Sequence, residues 1–208
     1  MSEKIDRRRL RTRAAVLDAA EKLFIERGYR DTSIEAIAAE ADVAISSIYF
    51  NFEGGKSDLY LALAHRAADL NVEYLAEAYD DERDPFAQMV AVGDAYLRFH
   101  LDNPLALRLL SLHDIDRKSD PRVEKEGREI QARLQAMLDR QEVLVARALE
   151  EGGNSGVPAR EVTLFMFAAW NGAISMYARR QLGRKELEAV LAAGQNLVIG
   201  AIASGNAS

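Results

Sequence analysis

The chain has 208 residues, of which 49% are apolar and 29% charged, and a formal net charge of −6. That apolar share is enough to bury a core and excludes a disordered chain. No cysteine occurs, so thiol nucleophiles, disulfides and thiolate metal sites are excluded, and His65, His100 and His113 are the only imidazoles.

The N-terminus is polar and charged, without the apolar segment of a secretory signal, and no apolar run reaches the roughly 18 residues that span a bilayer. A cytoplasmic protein with no membrane partner is expected. The acidic balance is unevenly spread. Lys4, Arg7, Arg8, Arg9, Arg11 and Arg13 oppose only Glu3 and Asp6, while residues 1–56 are neutral as a whole and the remainder carries the acidity. Such a basic start suits an arm that follows a phosphate backbone or enters a minor groove; it equally suits a solvated tail.

In chain order, nearly every segment reads as helix. Val16, Leu17, Ala20, Leu23 and Phe24 form one face of a helix over residues 11–27, and Gly28 stands where a left-handed C-cap would end it. Thr32, Ser33, Ile34 and Glu35 read as a capping box with Thr32 as the cap. Ile34, Ile37, Ala38 and Ala41 follow as a short apolar stripe. Asp42 and Val43 interrupt it, and a second short helix is expected over 44–50. After a loop over 51–55, a long helix is expected from Ser57 to about residue 79. A charged break over 80–85 precedes helices over 86–101, 104–113 and 121–151, bounded by Asn103-Pro104 and Asp120-Pro121. A turn-rich loop over 152–158 leads to two apolar helices over 159–181 and 184–204. No strand pattern, repeat or low-complexity segment appears.

Two short helices joined by a tight turn and braced by a longer one make a helix-turn-helix. The second presents Ala44, Ile45, Ser46, Ser47, Phe50 and Asn51 outward and keeps Ile48 and Phe52 inward. Small exposed residues let a helix approach base edges in the major groove. Ser46 and Ser47 can bond bases or phosphate, Ala44 and Ile45 can touch a thymine methyl, and Tyr49 offers a phenol to a phosphate. Lys56, beside the start of the next helix, adds charge to an anion site, and Thr32 and Ser33 can bind phosphate at a helix start. A plain helical hairpin in a bundle has the same periodicity.

Residues 14–59 carry Ala19-Ala20, Leu23-Phe24, Gly28-Tyr29, Thr32-Ser33, Ile37-Ala38, Ala41, Val43, Ile48-Tyr49, Phe52, Lys56 and Leu59 in one order. In this the segment resembles the DNA-binding domain of the TetR family of repressors. The resemblance implies a homodimer on a palindromic DNA operator, released when a small molecule binds the C-terminal domain. Several residues depart from the family pattern. Asp42 stands where glycine is usual in the turn, Ala44 where serine usually caps, and Ile45 where a basic residue is common; an extra glycine lies between Phe52 and Lys56. Aspartate tolerates a left-handed turn, whereas losing the serine cap removes about 1 kcal/mol of helix stabilisation.

The expected fold is therefore all-α. A helix-turn-helix domain over residues 1–56, with a basic arm, precedes a helical ligand-binding and dimerisation domain over 57–208. Small residues beside large ones in the last two helices, Ala168, Ala169, Gly172 and Ala173, then Ala192, Ala193, Gly194 and Ala201, suggest burial on two sides, as in a four-helix bundle shared by two subunits. Met89, Val92, Tyr96, Phe99, His100, Leu109, His113, Met137, Phe165, Met166 and Trp170 are candidate lining for a partly apolar effector site. The same pattern also describes plain core. No catalytic residue, metal ligand or cofactor is expected: His113 with Asp114 and Asp116, and His100 with Asp102, lack metal-site spacing, and no phosphate-binding glycine loop occurs. The expectation is a ligand-responsive transcriptional regulator, most simply a repressor and not an enzyme. The alternative is a dimeric small-molecule-binding or scaffolding protein without operator binding.

Overall fold

The computed structural model describes residues 2–79, 84–116 and 121–204, with side chains from Arg7 onward. Most of the charged break expected over 80–85, and Asp120 of the expected Asp120-Pro121 boundary, lie outside the described residues. Among those described there are nine helices and no strand: α1 (Ser2–Arg27), α2 (Ile34–Glu40), α3 (Ile45–Asn51), α4 (Lys56–Ala76), α5 (Pro85–Asp102), α6 (Ala106–Leu110), α7 (Pro121–Glu151), α8 (Ala159–Ala178) and α9 (Arg184–Ala203). The basic stretch is therefore part of α1, not an extended arm.

The chain divides into two compact units, one of residues 1–68 with 108–131, the other of 69–107 with 132–208. The first thus takes in more than the expected 1–56, and α4 and α7 each contribute residues to both.

In the first unit α1, α2 and α3 pack on one another. Val16, Ala20, Leu23, Phe24, Ile37, Ile48, Leu59 and Leu63 are all buried there. Gly28, at φ +85°, ends α1 with its N–H donated to the Phe24 carbonyl. The turn between α2 and α3 is a Schellman motif. Val43 N–H donates to Ala38 O at 3.0 Å and Asp42 N–H to Ala39 O at 3.3 Å, with Asp42 held at φ +54°. The aspartate thus takes the left-handed conformation that the turn requires.

The helix expected over 104–113 shortens to the five residues of α6. A second Schellman bond, His113 N–H to Arg108 O at 3.1 Å, closes it, with Leu112 at φ +51° and its side chain buried. Asp114 then folds back to pair with Arg108, and the Tyr60 hydroxyl donates to Arg108 O at 2.6 Å. These bonds stop the helix because they draw the chain back on itself.

In the second unit, Met89, Val92, Ala95, Leu144, Val145, Ala148, Leu149, Met166 and Ile202 form one core cluster, and Ala173, Ile174, Leu187 and Leu191 a second. The Gln195 amide, buried, donates to Met89 O at 2.9 Å and ties α9 to α5. α9 holds no unbroken apolar run of that length, yet by length and mean composition it is long and apolar enough to cross a membrane; only 22% of that window is buried. Leu197 on α9 and Phe165 on α8 are 75% and 65% exposed, which leaves much of the apolar surface of these helices uncovered.

Candidate functional site

The α3 helix is seven residues long, too short to be stable alone, and is held by its buried side. Ile48 is fully buried and Phe52, just past the end, nearly so. With 100° between successive residues, burying Ile48 turns Ser46 and Phe50, each 200° away, outward, while Ile45 and Tyr49 flank the buried side at the two ends of this short helix. All four are exposed, and Ser47 is half-buried. Ala44 occupies the N-cap without a side-chain hydrogen bond, as its missing hydroxyl dictates. The result is a slim rod with a methyl-and-hydroxyl face at its start and two aromatic rings toward its end.

The far end of that rod is fastened to α1. Arg13 donates to the Asn51 carbonyl at 3.0 Å and stacks over Phe52 at 4.3 Å. Arg9 lies over the Phe50 ring at 5.5 Å and reaches the Asn51 side-chain oxygen at 3.4 Å. The Asn51 amide in turn donates to Ser47 O at 2.8 Å. Asn51 is thus a junction, not an outward reading residue, and sequence periodicity alone did not signal this. Arg7, Arg8, Arg9 and Arg11 are all exposed along this end of α1; of the cations here, Arg9 and Arg13 share a surface with α3.

Two residues assigned to phosphate by the sequence are placed otherwise. Thr32 is 1% exposed and its hydroxyl donates to Gly28 O at 2.8 Å, with Leu23 O at 3.3 Å. The cap of α2 is its neighbour Ser33, which accepts from Ala36 N–H at 3.2 Å. The cap is therefore displaced by one residue, because Thr32 is consumed in satisfying the carbonyls that end α1. With Ala36 at the third helical position, the expected capping box gives way to the single Ser33 bond. Lys56 is the second correction. Its ammonium donates to the carbonyls of Tyr29 at 2.7 Å, Thr32 at 2.8 Å and Arg30 at 3.3 Å, and lies over the Tyr29 ring at 4.5 Å. An ammonium has three protons, and here all three are engaged. Burial holds its pKa below the ordinary lysine value. Ser33 and Tyr49 remain exposed.

The second unit holds a cavity of about 60 Å³, counted as the space open to the centre of a water molecule. Of the candidate lining residues, Met89, Val92, Tyr96, Met137, Met166 and Trp170 surround it. Leu75, Tyr79, Gly93, Leu138, Gln141, Thr163 and Phe167 complete it; these the sequence reading missed. The remaining candidates fall elsewhere. Phe99 is fully buried between the Tyr74 and His100 rings. His100, 4.6 Å from the Tyr96 ring centre, lies behind the lining; its Nε2 has no partner and burial pushes its pKa down to about 4. Leu109 is core of the first unit and His113 is exposed there. Phe165 lies on a separate groove with Val157, Val162 and Val198.

Around the cavity the Tyr79 hydroxyl donates to the Gln141 side-chain oxygen at 3.0 Å, and the Tyr96 hydroxyl to that of Asn171 at 2.7 Å. Burial pushes the Tyr79 phenol up to about 12 and that of Tyr96 higher still, so both stay protonated. Gly93 makes room for Trp170: a β-carbon there would lie 2.4 Å from the indole Cη2.

Residues 16–63 match the family model described as bacterial regulatory proteins, tetR family. An HTH-type transcriptional regulator of Staphylococcus aureus (strain USA300) is 29% identical over 98 residues, 47% of this chain and 52% of that protein. The HTH-type transcriptional repressor BepR of Brucella suis biovar 1 is 39% identical over 67 residues, 32% of each. The match thus spans about half the length of the staphylococcal relatives, or less. Among solved structures, the MbdR regulator from Azoarcus sp. CIB superposes with a TM-score of 0.69 at 27% identity, over 90% of this chain and 97% of that one.

Proposed function

We propose that this chain, whose residues 16–63 match the tetR family model, is a homodimeric transcriptional repressor whose hold on a palindromic operator is relieved by a small molecule. The observation that carries this reading is the α3 rod: Ile48 and Phe52 inward, Ile45, Ser46, Tyr49 and Phe50 outward. An outward face of that kind fits the major groove, with exposed arginines of α1 on the flanking phosphates. Two copies related by a two-fold axis read two half-sites one helical turn apart.

Pairing of subunits is supported by α8 and α9, which leave Leu164, Phe165, Met176, Val190 and Leu197 exposed. Two helices from each subunit, packed as a four-helix bundle, cover that area. This also accounts for the apolar composition of α9 without a membrane. The cavity in the second unit is the effector site. Residues of α4 belong to both units, so one helix connects the cavity wall at Leu75 to the first unit by a continuous backbone.

The test is selection from a randomised double-stranded DNA library, followed by titration at several salt concentrations. A two-fold-symmetric sequence bound by two subunits, with affinity falling steeply as salt rises, is the expected result. No duplex retained at low salt overturns the reading.

A further inference from the structure

Among the described residues, the cavity lining contains no aspartate, glutamate, lysine, arginine or histidine. Three methionines and four aromatic rings supply most of the wall: Met89, Met137 and Met166, with Tyr79, Tyr96, Phe167 and Trp170. Within it, Thr163 is 1% exposed and its hydroxyl has no hydrogen-bond partner. A buried hydroxyl without a partner is costly, and a native structure rarely leaves one unmet without reason. The neighbouring polar groups are already committed: Tyr79 donates to Gln141 and Tyr96 to Asn171. Arg140 is exposed, stacks 4.2 Å from the Tyr79 ring centre and donates to Tyr79 O, and it is no part of the described wall.

Resting on the reading of this cavity as the effector site, we infer that its ligand is a small uncharged molecule, an apolar body bearing one hydroxyl or carbonyl that bonds to Thr163. A carboxylate or phosphate buried against this wall would lose its hydration with no cation to replace it. Size follows from the volume. One water needs about 10–15 Å³ counted this way and fills about 30 Å³ of liquid, so 60 Å³ corresponds to roughly 120–180 Å³ of ligand. That is a body of one ring with a short substituent. Methionine and aromatic side chains adapt to such shapes and contribute contact without demanding polarity.

Trp170 is the sole tryptophan of the chain and lines the cavity, so its fluorescence reports occupancy without DNA. Three probes of equal bulk separate the possibilities: cyclohexylmethanol, methylcyclohexane and cyclohexanecarboxylate, titrated into the full chain at pH 8. Cyclohexylmethanol is expected to give a saturable change in emission, with cyclohexanecarboxylate silent at the same concentrations. Thr163→Val weakens the alcohol about tenfold and leaves methylcyclohexane unchanged, while Thr163→Ser restores the alcohol. Tighter binding of the carboxylate, alcohol binding indifferent to Thr163→Val, or no binding of any probe overturns the inference. The same probes added to a complex with the selected duplex test the regulator separately. An alcohol that saturates Trp170 yet leaves DNA affinity unchanged refutes effector release and leaves the ligand class standing.

Discussion

The Lys56 ammonium donates to the Thr32 carbonyl at 2.8 Å, clamping the start of α4 to the residue just before the cap of α2. Charge-assisted bonds of this kind contribute about 1.5–3 kcal/mol each in favourable settings. Lys56→Met is therefore expected to lower the thermal midpoint and weaken DNA binding by disordering the 29–32 turn. A phosphate ligand would behave differently, since its loss lowers the slope of log affinity against log salt by about 1. The clamp predicts an unchanged slope with a lowered midpoint, read by thermal unfolding and salt titration together. The opposite pair of results restores Lys56 to the phosphate backbone.

Tyr49 and Ser46 share the exposed side of α3 but differ in reach. Tyr49→Phe removes a hydroxyl able to bond phosphate and is expected to weaken all duplexes by a similar factor, about three- to tenfold. Ser46→Ala instead changes which bases are selected. Sequence selection with each variant distinguishes them; an identical selected sequence with Ser46→Ala removes that residue from base readout.

Gly93 lies against the indole of Trp170. In Gly93→Ala the new carbon would stand 2.4 Å from Trp170 Cη2 and 2.7 Å from Gln195 Nε2, so side chains packed there must shift. The expected cost is about 1–3 kcal/mol, typical of overpacking. The indole must also move, so tryptophan emission shifts. Unaltered emission and an unaltered midpoint would show that the space is looser than the distances imply.

His100 is buried with an unpartnered Nε2, and its pKa falls from the ordinary 6.5 to about 4 because burial penalises the charged ring. The unfolded chain therefore binds this proton first as pH falls. Stability is full above pH 6.5 and declines toward pH 4, by up to about 3 kcal/mol from this group. His100→Phe is expected to flatten that part of the profile, with the wild-type minus variant difference isolating it from the carboxylates. Parallel profiles between pH 6.5 and 4 would show that His100 does not set the acid limit.

Leu197 is 75% exposed on α9. Leu197→Lys is expected to shift the protein to monomers in sedimentation while leaving subunit helicity intact, because the charge meets solvent in one copy and an apolar partner only in two. A dimer that persists at micromolar concentration places the interface elsewhere.

The helix content and the inward-outward division of α3 were legible in the sequence, since Ile48 and Phe52 are apolar at helical spacing among small polar residues. Gly28 was legible as a helix stop for the same local reason. The choice between Thr32 and Ser33 as a cap was not. Both residue types cap helices, and what decides is that Thr32 is buried against the carbonyls of Leu23 and Gly28. Lys56 was misread because its partners are backbone carbonyls, which every residue carries and no pattern reveals. The cavity was read through its large apolar residues. Tyr79, Gln141 and Thr163 were missed because isolated polar residues on a helix normally face water. Phe165 was included wrongly: it stands one position from Met166, and one step of 100° turns it out of the cavity.

Arg13 grips the Asn51 carbonyl and Arg9 reaches its side chain, so the end of α1 and the end of α3 form one rigid block. In the proposed dimer each subunit would therefore carry a fixed stencil, with its proposed backbone-seeking charge and base-reading surface in constant register. An event that changes the distance between two stencils leaves each one intact. Which half-site is chosen and how far apart half-sites stand are thus separable properties, open to independent adjustment by substitutions on α3 and at the subunit interface.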